Sequence, residues 1–201
     1  MKMLIMTLIA VMTTCSAWAL GTGLTTYPLM QNQHLFSGEM TGVLGTGEGV
    51  GLQARYTRKV SSGIKLDGGA GISTGDRSMR LFTGADFEIF PDFGRQPRVS
   101  LKTSFEFGKE FDQKKSIFGL SPIVSKGLNF WGNEAFPYLA LPIELNLQGS
   151  NQTYQSQIAM ALGVNGHLPI DGYRHLVANF EAQFSLKDSA SGVFLGLSYQ
   201  L

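Results

Sequence analysis

Charge is scarce in this sequence. Asp, Glu, Lys and Arg make up 15% of its 201 residues, against about 25% in an average soluble domain. The formal net charge is +1, which supplies no basic face and excludes nucleic acid as a partner. Cysteine is all but missing: Cys15 is the only one, so a disulfide framework and a thiolate metal site are excluded. No segment after residue 19 is long and apolar enough for a spanning helix, and no run shows a helical period. Glycine, by contrast, is abundant at 25 residues, where an average chain of this length has roughly 14.

The one sustained apolar run is an address. Residues 1–19 place Lys2 before the stretch Leu4 to Met12 and end on Ala17-Trp18-Ala19, the small-x-small pattern of a signal-peptide cleavage site. Thr13, Thr14 and Ser16 interrupt the run, which leaves it short of the about 20 apolar residues a membrane helix needs. Lipid attachment at Cys15 is the rival reading, but Met12-Thr13-Thr14 is a poor lipobox. Removing residues 1–19 takes away Lys2 and Cys15, so acidic and basic residues become equal at 15 each. Residues 20–33 carry no period and are expected to form an N-terminal arm or a plug.

From residue 34 to 201 apolar residues recur at every second position, the pattern of half-buried strands. The clearest runs begin with Val50, Leu52, Ala54, Tyr56 and with Ile64, Leu66, Gly68, Ala70, Ile72. Others follow over 79–89, 99–107, 139–147, 154–164, 176–184 and 193–201. Runs at 35–45, where Gly is frequent, and at 116–125, where Pro122 intrudes, complete the set. Counting both gives ten strands, the favoured number; dropping both gives eight. Short Gly-, Ser-, Asp- and Asn-rich links between runs predict antiparallel hairpins and a single all-β, closed, up-and-down barrel.

Which face is wet decides the environment. A soluble barrel turns its apolar face inward, whereas a membrane barrel turns it toward lipid and fills its lumen with polar groups. The exported character of the chain and strands of about ten residues favour the second arrangement. So do the small residues on the polar face (Gly69, Gly71, Gly84, Ser100, Ser104, Ala159, Ala161, Gly163), which suit a narrow lumen. On that face Lys65, Arg80, Asp86, Glu88, Arg98, Lys102 and Glu106 are expected to pair across neighbouring strands. With Glu88 opposite Arg98, Arg80 falls opposite Glu106; a shift of two puts Asp86 opposite Lys102. Lys65 reaches Asp86 or Glu88. Such pairs avoid unpaired charge in a confined space. The alternative is a solvated charged surface on a secreted sandwich.

The last run, Val193, Leu195, Leu197, Tyr199, Leu201, resembles the closing strand of Gram-negative outer-membrane β-barrel proteins, which ends in alternating apolar residues with an aromatic two before the terminus. Leu201 stands where Phe is commoner. The likeness is to a small porin-like barrel and is architectural. It implies insertion by the outer-membrane assembly machinery, both termini in the periplasm, and membrane lipids as surroundings. Tyr56, Phe105, Phe107, Trp131, Tyr138, Phe184 and Tyr199 are then candidates for interfacial girdles.

Small residues also recur on the apolar face, at Gly38, Gly42, Gly68, Ala70, Thr83 and Ala85. Lipid contact gives no reason to prefer them, whereas close packing between subunits in a bilayer does. They predict a homo-oligomer, built as a ring that encloses lipid; the alternative is Gly bends that relieve curvature.

Chemistry finds little support. His34, His167 and His175 lack metal-ligand spacing, and no cofactor motif is present. Some outer-membrane barrels are lipid A deacylases or phospholipases, but the residue two after His175 is Val177, where the deacylase pattern has Ser. Period two puts His175 on the polar face of Glu181, as a lumen histidine. Gly45–Gly51 lacks phosphate-loop spacing and reads as a hairpin turn, and 109–115 reads as a mixed-charge loop. The sequence thus points to a non-catalytic membrane barrel for envelope organisation or narrow permeation. A lipocalin-like secreted barrel holding an apolar ligand and a lipid hydrolase using His175 are the other classes.

Overall fold

The computed structural model describes residues 23–44, 49–74, 77–110, 113–130, 132–148 and 153–201. Residues 1–19 with Cys15, the first residues of the 20–33 segment, most of the Gly45–Gly51 link and Trp131 lie outside them.

The strands are β1 (His34–Leu44), β2 (Gly49–Ser61), β3 (Ile64–Ser73), β4 (Arg77–Phe90), β5 (Arg98–Glu110), β6 (Gln113–Ser125), β7 (Leu128–Phe130), β8 (Asn133–Ala140), β9 (Ile143–Gln148), β10 (Thr153–His167), β11 (Leu176–Lys187) and β12 (Ser191–Gln200). Every pairing is antiparallel, and β12 returns to pair with β1 from Leu35↔Gln200 to Leu44↔Ser191. The sheet is therefore closed. Closure leaves no open edge to recruit another strand.

Twelve segments make ten staves. β8 and β9 are one stave interrupted at Leu141-Pro142: both pair with β6 on one side and β10 on the other. β7 continues β6 beyond Lys126-Gly127 and pairs with β8 through Leu128↔Ala135. Pro142 has no N–H to give a ladder, so a break there is the expected response of a strand to proline. Both interrupted sequence runs, 35–45 and 116–125, are full staves.

Polarity alternates with the pleat, with charge inside and grease outside. Leu52, Leu81, Leu162, Leu195 and Leu197 are exposed on the outer wall, while Arg55, Thr57, Asn165 and Glu181 are buried within. The staves run mostly ten residues or more, the reach of a tilted membrane strand. This is the inside-out arrangement of a transmembrane barrel, and a barrel with a greasy interior does not describe it.

Some expectations change. Most of 109–115 is strand: β5 runs to Glu110 and β6 begins at Gln113, pairing Lys109↔Lys114 and Glu110↔Gln113. His175 lies before the first residue of β11 and is exposed, since the period that would turn it inward begins only at Leu176. Tyr138 is not a girdle residue; it is buried inside the barrel, on the inward phase of β8. Tyr56, Phe105, Phe107, Phe184 and Tyr199 do face outward.

Candidate functional site

The lumen is built from three polar networks, and the register explains the first. A bulge between Glu88 and Phe90 shifts β4 against β5, so Asp86 faces Lys102, Glu88 faces Ser100, and Glu106 faces Phe82. Of the two expected registers, the shifted one occurs. Facing is not bonding, however. Asp86 Oδ2 lies 2.6 Å from Arg98 Nη2 and 3.2 Å from Lys65 Nζ, while Arg98 Nε reaches Glu88 Oε2 at 2.8 Å. Lys102 turns instead to Asp67, at 3.0 Å. Arg80 Nη1 and Glu106 Oε1 sit 3.8 Å apart along the diagonal. All seven expected charges thus lie on the inner wall of β3–β5, with Asp67 as an eighth partner.

Sequence reasoning passed over the second network. Arg55 is fully buried and its Nη2 lies 3.0 Å from Glu39 Oε2. Gln53 donates from Nε2 to Glu39 and accepts from Arg80 at Oε1. The guanidinium carbons of Arg55 and Arg80 stand 5.5 and 5.9 Å from the centroid of Phe82, an inward aromatic between two cations. Phe82 fits because its cross-strand neighbour is Gly69, where an added Cβ would collide with the phenyl ring. An apolar residue on the polar phase opposite glycine was the signal available in the sequence.

The third network holds the segment before β1, whose residues 23–29 enter the lumen from the end where β1 begins and β12 stops, while residues 30–32 are exposed. Leu24, Thr26, Tyr27 and Leu29 are all buried. Leu24 donates its N–H to Glu181 Oε2 at 2.9 Å, and its carbonyl accepts from Tyr138 Oη and Asn179 Nδ2, each at 3.2 Å. Tyr138 also donates to Glu181 at 2.5 Å. Asn165 Nδ2 donates to Thr26 Oγ1 at 3.0 Å, and Tyr27 Oη is 2.8 Å from His167 Nε2. The lumen histidine is therefore His167, whereas His175 is exposed and meets the ring edge of Tyr199, centroids 5.8 Å apart. Val177 faces inward two residues after His175.

The outer wall carries the small residues. Gly38 pairs with Ala54, and Ala54 with Ala70, so three small residues line up across β1–β3. Gly38 also faces Leu197, which faces Ala178. This row floors an apolar groove of about 1200 Å³ flanked by Met40, Leu52 and Phe180. Gly42 lies between Val193 and Val50, and Gly68 and Thr83 sit between Tyr56 and Phe105. Ala85 sits between Leu66 and Thr103. The six expected positions share the outer wall but fall on several rows, and Ala54 and Ala178 add to the longest of them.

No family model matches the sequence, and neither does any curated protein. Among solved structures, a de novo designed transmembrane β-barrel has a TM-score of 0.41 at 13% identity, covering 86% of this chain and 98% of its own. The N-terminal β-barrel domain of Pseudomonas aeruginosa OprF gives 0.35 at 11%, covering 85% and 98%. KdgM porin gives 0.38 at 11%, covering 83% and 98%.

Proposed function

We propose that this chain is an integral outer-membrane barrel without catalytic activity, serving membrane organisation and envelope integrity. The observation that carries the reading is the inverted wall: Arg55 and Glu181 are buried while Leu195 and Leu197 are exposed. A lipocalin-like binding barrel needs the opposite polarity. Residues 1–19 serve as the export signal, and the outer-membrane assembly machinery inserts the barrel among lipids. Ion pairs and residues 23–29 occupy the lumen, so permeation is narrow at most. The row Gly38, Ala54, Ala70 supports a homo-oligomer packed wall to wall, in a ring that contacts or encloses lipid.

Fractionation tests this reading. The protein should sediment with outer membranes, need detergent for extraction and change gel mobility on heating. Crosslinking in native membranes should give a ladder of discrete oligomers, and planar bilayers should show little conductance. A chain that remains dissolved in detergent-free buffer defeats the proposal.

A further inference from the structure

Residues 23–31 touch the barrel wall without joining it. Asn32 donates to Lys59 O at 3.1 Å and Gln33 O accepts from Lys59 N at 3.3 Å; among the described residues no main-chain bond ties 23–31 to a strand. Asn32 has φ +67°, the left-handed conformation that Asn tolerates, and there the chain reverses from β1 into the lumen. Deeper in, the segment is held mainly by wall side chains, with one bond from Thr26 Oγ1 to the main-chain carbonyl of Phe136 at 3.4 Å.

Those side chains address the peptide main chain. Glu181, Tyr138 and Asn179 satisfy both the N–H and the carbonyl of Leu24. Lys65 Nζ donates to the carbonyls of Thr25 and Tyr27 at 3.4 and 3.5 Å. Side-chain selection is added at four positions. Leu24 packs among Ile123, Ala140 and Ala161, and Leu29 against Leu35 and Val177. Thr26 meets Asn165, and Tyr27 meets His167 and, edge-on at 5.7 Å between centroids, Phe136. A cleft that reads alternating peptide groups and a few side chains has the features of a peptide-recognition site.

We propose that the lumen is a binding channel for an extended peptide of the pattern apolar-x-Thr-aromatic-Pro-apolar, and that residues 23–31 are its resident occupant, hinged at Asn32. This rests on the membrane-barrel reading and adds to it a ligand class and a means of opening. Because the grip is on side chains of the wall and not on a ladder, the occupant exchanges without unpairing any strand. A free peptide of the same pattern therefore takes its place.

The test uses the processed chain, residues 20–201, which has no cysteine of its own, with Leu24→Cys, folded in liposomes, and a membrane-impermeant thiol reagent. Labelling should be slow alone. A synthetic peptide spanning residues 23–31 should speed it about tenfold, and so should Asn165→Ala combined with Tyr27→Phe, the effect of losing one or two buried hydrogen bonds. A scrambled peptide should leave it unchanged. Tyr27→Cys provides a second reporter should the first variant not fold. Labelling that ignores both peptide and variants in a heat-modifiable barrel overturns the channel alone; a chain soluble without detergent overturns the membrane reading and the channel with it.

Discussion

Lys102 stands opposite Asp86 in the ladder yet gives its ammonium to Asp67, 3.0 Å away on the next strand but one. The choice follows from Arg98, which with Lys65 already engages Asp86. Charge in the lumen is thus apportioned across three strands, not pair by pair.

Removing one member of that pair should cost more than removing both. Lys102→Met alone leaves Asp67 buried and uncompensated, and a loss of about 3–5 kcal/mol is expected. Lys102→Met with Asp67→Leu should cost far less, since two apolar groups need no solvation. Urea titration in detergent micelles, read by the heat-dependent gel shift, gives both values and the coupling between them.

Glycines on the two faces should respond oppositely. At Gly163 an added Cβ meets the Tyr138 ring and lies 2.7 Å from Phe180 O, so Gly163→Val should destabilise by about 1–3 kcal/mol through overpacking. Nothing stands within 4 Å of such an atom at Gly38 or Gly42. Gly38→Leu should leave the unfolding midpoint of the isolated barrel unchanged or raised, while abolishing the crosslinked oligomers that close wall packing requires.

A charge placed on the outer wall reports what surrounds it. Leu162 is exposed near the middle of β10. In lipid Leu162→Arg should cost about 2–4 kcal/mol, as it does at the midplane of membrane barrels. In water the same exposed site would tolerate arginine. Equilibrium unfolding from liposomes separates the two outcomes.

The link between β4 and β5 should loosen in acid. Partial burial pushes the Asp92 carboxyl up, but the Lys126 ammonium and the Gly127 N–H, at 2.6 Å, outweigh it and hold the group below the usual carboxylate range. A depressed value means that the ionised form favours the native link. Its contribution is complete above the ordinary carboxylate value of about 3.9 and is lost as pH falls through the lower native one. Hydrogen exchange at residues 91–97 and at Gly127 should quicken over that acid window, and Asp92→Asn should remove the pH dependence.

The wall was legible because period two is a direct consequence of the pleat: of the charges expected inward on β3–β5, Lys65, Arg80, Asp86, Arg98, Lys102 and Glu106 are buried, and the part-exposed Glu88 bonds Arg98. Register was less so, since it depends on a bulge at Glu88–Phe90 that no residue type announces. The lumen histidine was misplaced for a related reason. Alternation extends only as far as the strand, and β11 begins one residue after His175. The bonds of Tyr138 and Glu181 were not legible because their partners are distant in sequence: the two are 43 residues apart, and each bonds a segment more than 110 residues earlier. Residues 23–33 have no period to read, because an extended segment gripped by side chains has no ladder to impose one.

The seam between β1 and β12 joins the earliest stave to the latest, and residues 23–33 immediately precede that seam. Zippering of these two edges is therefore the moment of commitment: a tether already tucked among the eight other staves is sealed in, while one left outside must afterwards thread a finished tube. Assembly order, as much as final energy, decides whether the molecule emerges corked or hollow.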